Sequence, residues 1–174
     1  PLVSTNEGNS FSLYVSIPFC PSRCSYCSFV SHSITSANAK KLFPEYLENL
    51  VKELEVTGRY AAENSLKLES VYFGGGTPAL VADCLKEIID TCREYFEITE
   101  GIGLELHPDN VTVDTLQILK EAGITKISIG IQSFQEKYQH ILGRKMVDPA
   151  DRFHHEAGGA AAVTTCIGAK FVLS

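Results

Sequence analysis

The sequence predicts an α/β protein built as a partial parallel (βα) barrel, and three observations predict it. Short strand-like apolar runs alternate with segments of helical period, strand then helix, four times along the chain. The chemistry-bearing stretches gather at the C-terminal ends of those runs: a cysteine loop after the first, Gly74-Gly75-Gly76 after the second, Glu105 in the third and Gln132 after the fourth. In a parallel barrel these ends share one face, on which such folds build their sites. With 174 residues, 44% of them hydrophobic and 21% charged, the chain is also long enough for one domain with a substantial core.

Residues 1–11 are polar and without periodicity, and are expected to be a flexible lead-in. From Ser12 to Pro18 the apolar residues Leu13, Val15 and Ile17 alternate, which is strand spacing, and Pro18 ends the run. A Ser/Asn/Thr-rich stretch leads to Pro44, which opens a helix with Leu47, Leu50, Val51 and Leu54 on one face. Gly58 to Ser65 is expected to fray that helix into a turn. Leu68 to Phe73 is the second strand. Asp83 is placed to cap a helix carrying Leu85, Ile88, Ile89, Cys92 and Phe96 on one stripe.

The third strand runs from Ile102 to His107 and is broken by Pro108. Thr112 to Ala122 reads as a helix stopped by Gly123. The fourth strand, Lys126 to Ile131, alternates Ile127, Ile129 and Ile131, and a short helix follows from Phe134 to Leu142. Val163 to Leu173 suggests a fifth strand. The expected organisation is therefore a core over 12–145 and a divergent segment over 146–174 that continues the barrel.

Half of the six cysteines fall within eight residues, Cys20, Cys24 and Cys27, spaced C-x3-C-x2-C. Thiolates so close suit a soft metal or an iron–sulfur cluster, and three of them fall one short of a closed shell. The alternative is a structural zinc site completed by His32. Cys84, Cys92 and Cys166 are scattered and read as small buried apolar residues of a reducing compartment. Gly74-Gly75-Gly76-Thr77-Pro78 lets a backbone pass close to a ligand and offer N–H and C=O groups without side-chain obstruction. Glu105 sits among apolar strand residues, where a charge is costly unless paired; a barrel lysine or arginine is the alternative partner to a ligand. A net charge of −6 without a basic run argues against nucleic acid as a partner. No apolar run is long enough for a membrane span and no signal-peptide pattern opens the chain, so a cytoplasmic location is expected.

The segment Tyr14-Val15-Ser16-Ile17-Pro18-Phe19-Cys20-Pro21-Ser22-Arg23-Cys24-Ser25-Tyr26-Cys27-Ser28-Phe29 resembles the cluster motif of the radical S-adenosyl-L-methionine (radical SAM) enzymes. Its I-P-F-C opening and the G-G-G-T-P that follows are similar to the branch containing oxygen-independent coproporphyrinogen III oxidases and haem chaperones. The resemblance implies a [4Fe-4S] cluster on Cys20, Cys24 and Cys27, with SAM on the remaining iron. It implies SAM contacts from Tyr14, from the turn Gly74, Gly75, Gly76 and Thr77, from Glu105, and from Gln132 and Arg144, with Tyr26 packed beside the adenine. Tyr14 and Tyr26 read equally well as core or lip aromatics; for Arg144 the alternative is a solvated helix-end charge.

The activity so implied is reductive cleavage of SAM to a 5′-deoxyadenosyl radical that takes hydrogen from an organic substrate, a porphyrin or haem in this branch. A flavodoxin or ferredoxin would supply the electron. The resemblance covers 12–145; Met146 stands where the family carries a histidine, and His154-His155 match no motif. Phe29 stands where the oxidases proper have a further cysteine, which shifts the reading toward haem chaperones and methyltransferase-like or cyclopropane-forming relatives. Complete barrels run to about 250 residues, so a truncated or divergent member is expected.

Overall fold

The computed structural model describes residues 9–21, 24–28, 32–133, 135–142 and 169–172. The elements in order are β1 (Ser10–Ile17), β2 (Phe19–Cys20), β3 (His32–Ser33), α1 (Ala37–Glu63), β4 (Lys67–Gly75), α2 (Ala82–Tyr95), β5 (Gly101–Leu106), α3 (Val113–Ala122), β6 (Lys126–Ile129), α4 (Glu136–Ile141) and β7 (Ala169–Val172). Strands β1, β4, β5 and β6 lie side by side and parallel, as expected of a partial barrel. Of the suggested fifth strand the described residues form β7, which runs antiparallel to β6; the remainder lies outside the described residues. Arg144, Met146, His154, His155 and Cys166 lie outside the described residues.

Alternation along the strands divides the sheet into two faces. One carries Val15, Ile17, Val71, Phe73, Ile102, Leu104, Leu106, Ile127 and Ile129, all buried with Leu50, Leu54, Leu85, Ile88, Ile89 and Leu119 of the helices. The intervening positions, Ser12, Tyr14, Ser16, Ser70, Tyr72, Gly103, Glu105 and Ser128, fall on the opposite face of the pleat. The apolar face drives folding, and the polar face is left for other uses.

Helix α1 departs from expectation at both ends. It begins at Ala37 instead of Pro44, capped by Ser36, whose Oγ accepts from the Ala39 N–H at 3.2 Å. Pro44 is interior and removes one helical donor. Tertiary packing offsets that loss: Ala39 is buried, and the rings of Phe43 and Tyr46 stand edge-on to Phe19 at 5.0 and 5.4 Å. Gly58 does not fray the helix either, which continues to Glu63. It is buried against Tyr95 of α2, where a Cβ would overlap the tyrosine's own Cβ and Cγ. Gly58→Ala is expected to push the two helices apart at a cost of about 1–3 kcal/mol, read as a lower urea midpoint at unchanged m.

Two smaller differences concern α2 and the strand ends. Asp83 lies in the first turn and not at the cap, because the 3-10 turn Pro78–Val81 runs straight into the helix. Cys92 is buried, which pushes its thiol up to about 11, whereas Cys84 is half-exposed because it falls beside the apolar stripe and not on it. Strand β6 stops at Ile129, two residues before Ile131. Helix α3 matches its expected caps, with Thr112 accepting from the Thr115 N–H at 3.1 Å and Gly123 at its end. Among the described residues no helix is long and apolar enough to cross a membrane.

Candidate functional site

The cysteine loop leaves β1 at Pro18 and returns to it. Residues Phe19 and Cys20 pair in parallel with His32 and Ser33, and the His32 and Ile34 N–H groups donate to the carbonyls of Pro18 and Cys20 at 2.8 and 2.9 Å. This short parallel ladder closes the base of the loop, so its thiols are presented from a clamped neck. Cys20, Cys24 and Cys27 are all part-buried, and a turn bonds the Cys27 N–H to the Cys24 carbonyl at 3.2 Å. Ser25 reaches across to α4, donating to the Ile141 carbonyl at 3.2 Å. Tyr26 is exposed.

The glycine turn is locked to that loop by backbone bonds. Gly76 N–H donates to the Ile17 carbonyl and Thr77 N–H to the Phe19 carbonyl, both at 2.7 Å. These two donors are therefore spent internally and not offered to a ligand, and Thr77 is buried. A Cβ on Gly76 would lie 2.8 Å from the Ile17 oxygen and 2.9 Å from Cys20 Sγ, and would also overlap the Phe19 oxygen. Only glycine lets the two segments meet here. Gly75 keeps its N–H for another direction: it faces the Tyr14 hydroxyl and the Glu105 carboxylate.

Glu105 lies at the C-terminal end of β5 in register with Ser128 of β6. Among the described residues no lysine or arginine comes within salt-bridge distance of it, so the internal ion pair considered above is not formed there. Its neighbours are hydroxyls: Tyr72 donates to Oε1 at 3.5 Å, and the Tyr14 and Tyr72 rings stack at 6.1 Å. Burial holds the carboxyl above the usual range, and the Tyr72 and Gly75 donors partly offset that. Burial and then the nearby carboxylate raise both tyrosines, which keeps them as proton donors.

Gln132 follows β6 through two tight turns, with the Ile131 and Ser133 N–H groups bonding to Ile129 and Ile131 at 3.1 and 2.9 Å. Its φ of 68° is left-handed, which a glutamine adopts at a cost of order 1–3 kcal/mol. His107 has a local role, accepting from the Asp109 N–H on Nδ1 at 3.2 Å. Sequence reasoning passed over Tyr72 and Ser128. The available signal was the polar phase of the strands, Ser70-x-Tyr72 and Ser128 between two isoleucines.

By its chemistry, a set of three closely spaced free thiols suits an iron–sulfur cluster. A cluster takes each thiolate on a different iron, whereas zinc needs its ligands around one ion. Among the described residues no three His, Cys, Asp or Glu side chains converge on a single ion. His32, the fourth zinc ligand considered above, is exposed and packs its ring 6.0 Å from Phe19.

Comparison with known proteins agrees. The model of the radical SAM superfamily matches residues 14–157. The oxygen-independent coproporphyrinogen III oxidase of Pseudomonas aeruginosa is 30% identical over 159 residues, covering 88% of this chain and 34% of the oxidase. The heme chaperone HemW of Escherichia coli is 32% identical over 136 residues, covering 76% of this chain and 35% of the chaperone. Among solved structures, coproporphyrinogen III oxidase (HemN) from Escherichia coli, a radical SAM enzyme, superposes with a TM-score of 0.68 at 26% identity, over 80% of this chain and 31% of that one. The chain thus spans about a third of the length of these relatives.

Proposed function

The chain belongs to the radical SAM superfamily, and from that premise we propose that its strand-end face holds a [4Fe-4S] cluster and SAM as the core of a porphyrin- or haem-directed enzyme. Cys20, Cys24 and Cys27 would hold the cluster, each through its thiolate. When bound, that group supplies one electron to SAM, whose sulfur–C5′ bond breaks to leave methionine and a 5′-deoxyadenosyl radical able to abstract hydrogen from the substrate.

The chain's own residues do the rest. Gly76 keeps side-chain bulk away from Cys20, and one residue earlier in the turn Gly75 meets Tyr14 and Glu105, which form a polar edge. Glu105 is an acceptor without an internal cation among the described residues, suited to the ammonium or ribose hydroxyls of SAM. Gln132, in the turns that follow β6, would contact SAM, and Arg144 would pair with the SAM carboxylate through its planar fork. Tyr26 would cover the adenine, and the polar sheet face would receive the substrate.

The contact of the glycine turn with Cys20 carries this reading, because it makes a thiol loop and a ligand-accepting backbone one surface. Anaerobic reconstitution with iron and sulfide, then reductant and SAM, should yield 5′-deoxyadenosine in proportion to cluster content. A loaded chain that neither binds nor cleaves SAM would overturn it.

A second reading is favoured by Phe29, which stands where the oxidases proper carry another cysteine. It makes the chain part of a haem chaperone-like protein, binding haem with the same cluster and little turnover. A stable Soret shift on mixing with haem, without 5′-deoxyadenosine above background, would select it.

A further inference from the structure

We propose that Tyr72 is a positioning residue that aims the Glu105 carboxylate across the strand ends toward bound SAM, an inference that rests on the reading above. Three features hold the ring in place. It lies over Gly103 of β5, where a Cβ would come within 2.6 Å of the ring's Cδ2. Tyr14 stacks on it from β1 with ring centroids 6.1 Å apart and planes 21° apart. Its hydroxyl then reaches across to β5, donating to Glu105 Oε1 at 3.5 Å, and interacts with the Ser128 hydroxyl of β6.

Tyr72 donates to Glu105, and the Ser128 hydroxyl of β6 interacts with Tyr72 in turn, so the carboxylate is held from β4 with β6 behind its donor. A glutamate has three rotatable side-chain bonds, and without such a tether it would spend part of the binding free energy on being ordered. With the tether, one carboxylate edge is occupied by Tyr72 while the Gly75 N–H faces the group from β4. Phenylalanine at position 72 would fill the same space over Gly103 and lose only the hydroxyl.

The other groups near Glu105 are Tyr14 from β1, Lys126 of β6, exposed and in register with Gly103, and His107 just after β5. All are common to wild type and variant, so they cancel in the comparison. The ionised carboxylate is the form that binds, so SAM affinity is complete above the Glu105 pKa and is lost as pH falls through it. Donation from Tyr72 lowers that pKa, so removing it moves the inflection to higher pH.

The test is equilibrium dialysis of labelled SAM against the cluster-loaded chain over a range of pH, with wild type, Tyr72→Phe, Glu105→Ala and the double variant. Tyr72→Phe is expected to keep its iron and weaken SAM by about tenfold, as for a hydrogen bond to a charged group. It should also move the inflection upward, and it should have no further effect in the Glu105→Ala background. Should Tyr72→Phe fail to fold, Ser128→Ala keeps the ring and should shift the inflection in the same direction by less. An unchanged affinity and pH profile in Tyr72→Phe beside a wild type that binds SAM would overturn this proposal alone, as would an equal loss in the Glu105→Ala background. A loaded wild type that binds no SAM would overturn the reading beneath it and this inference together.

Discussion

Replacing Cys20, Cys24 or Cys27 singly with alanine is expected to abolish the iron–sulfur charge-transfer absorption after anaerobic reconstitution, and with it all SAM-dependent 5′-deoxyadenosine. Iron should fall from about four per chain to background. The reason is that three thiolates already fall short of a closed shell, so no spare protein ligand replaces a lost one. The described cysteines outside the loop are badly placed to substitute: Cys92 is buried in the core, and Cys84 sits on the first turn of α2. Cys84→Ala is therefore the matched control, expected to retain full iron. Far-UV circular dichroism should be close to wild type in all four variants, since no loop cysteine belongs to the apolar cluster. Iron retained by any of the three loop variants would remove the basis for the cluster.

The second large effect is expected at Gly76. A methyl group there meets two backbone carbonyl oxygens and Cys20 Sγ together, and backbone cannot swing aside as a side-chain end can. Gly76→Ala should cost about 1–3 kcal/mol by overpacking, and about 1 kcal/mol more for each of the bonds to Ile17 and Phe19 that is pulled open. Iron content should fall with it. Gly74→Ala makes the contrast, because the atoms nearest the added methyl belong to the far end of the Tyr14 ring, which can rotate outward. That variant should fold with a loss below about 1 kcal/mol and keep its iron, but bind SAM more weakly. Urea unfolding followed in parallel with iron analysis separates the two, and equal losses at both positions would show that the close approach to Cys20 does not matter.

The sheet was legible because both of its signals are local. Alternating Ile127 and Ile129, or Leu13, Val15 and Ile17, report a strand with one covered face, and Thr112 and Gly123 report where α3 starts and stops. What escaped was decided by contacts between distant residues. Pro44 reads as a helix start until Phe43 and Tyr46 are seen packed on Phe19, and Gly58 reads as a helix end until Tyr95 is seen against it. The Phe19–Cys20 ladder with His32–Ser33 is too short to leave a pattern, and the direction of β7 is not encoded in its own four residues. In the site, cysteines, glycines and a strand glutamate stand out because their chemistry is costly elsewhere. Tyr72 does not, since a tyrosine in a strand is ordinary until its hydroxyl is found beside Glu105.

The two backbone bonds that tie Gly76 and Thr77 to Ile17 and Phe19 mean that the turn and the thiol loop cannot open separately. Metal escape requires the loop to part from its neighbour, so a small molecule seated on the turn should slow oxidative bleaching of the centre. Thermodynamic reciprocity concerns the equilibria alone: by whatever factor that molecule tightens the binding of the centre, the intact centre tightens the binding of the molecule.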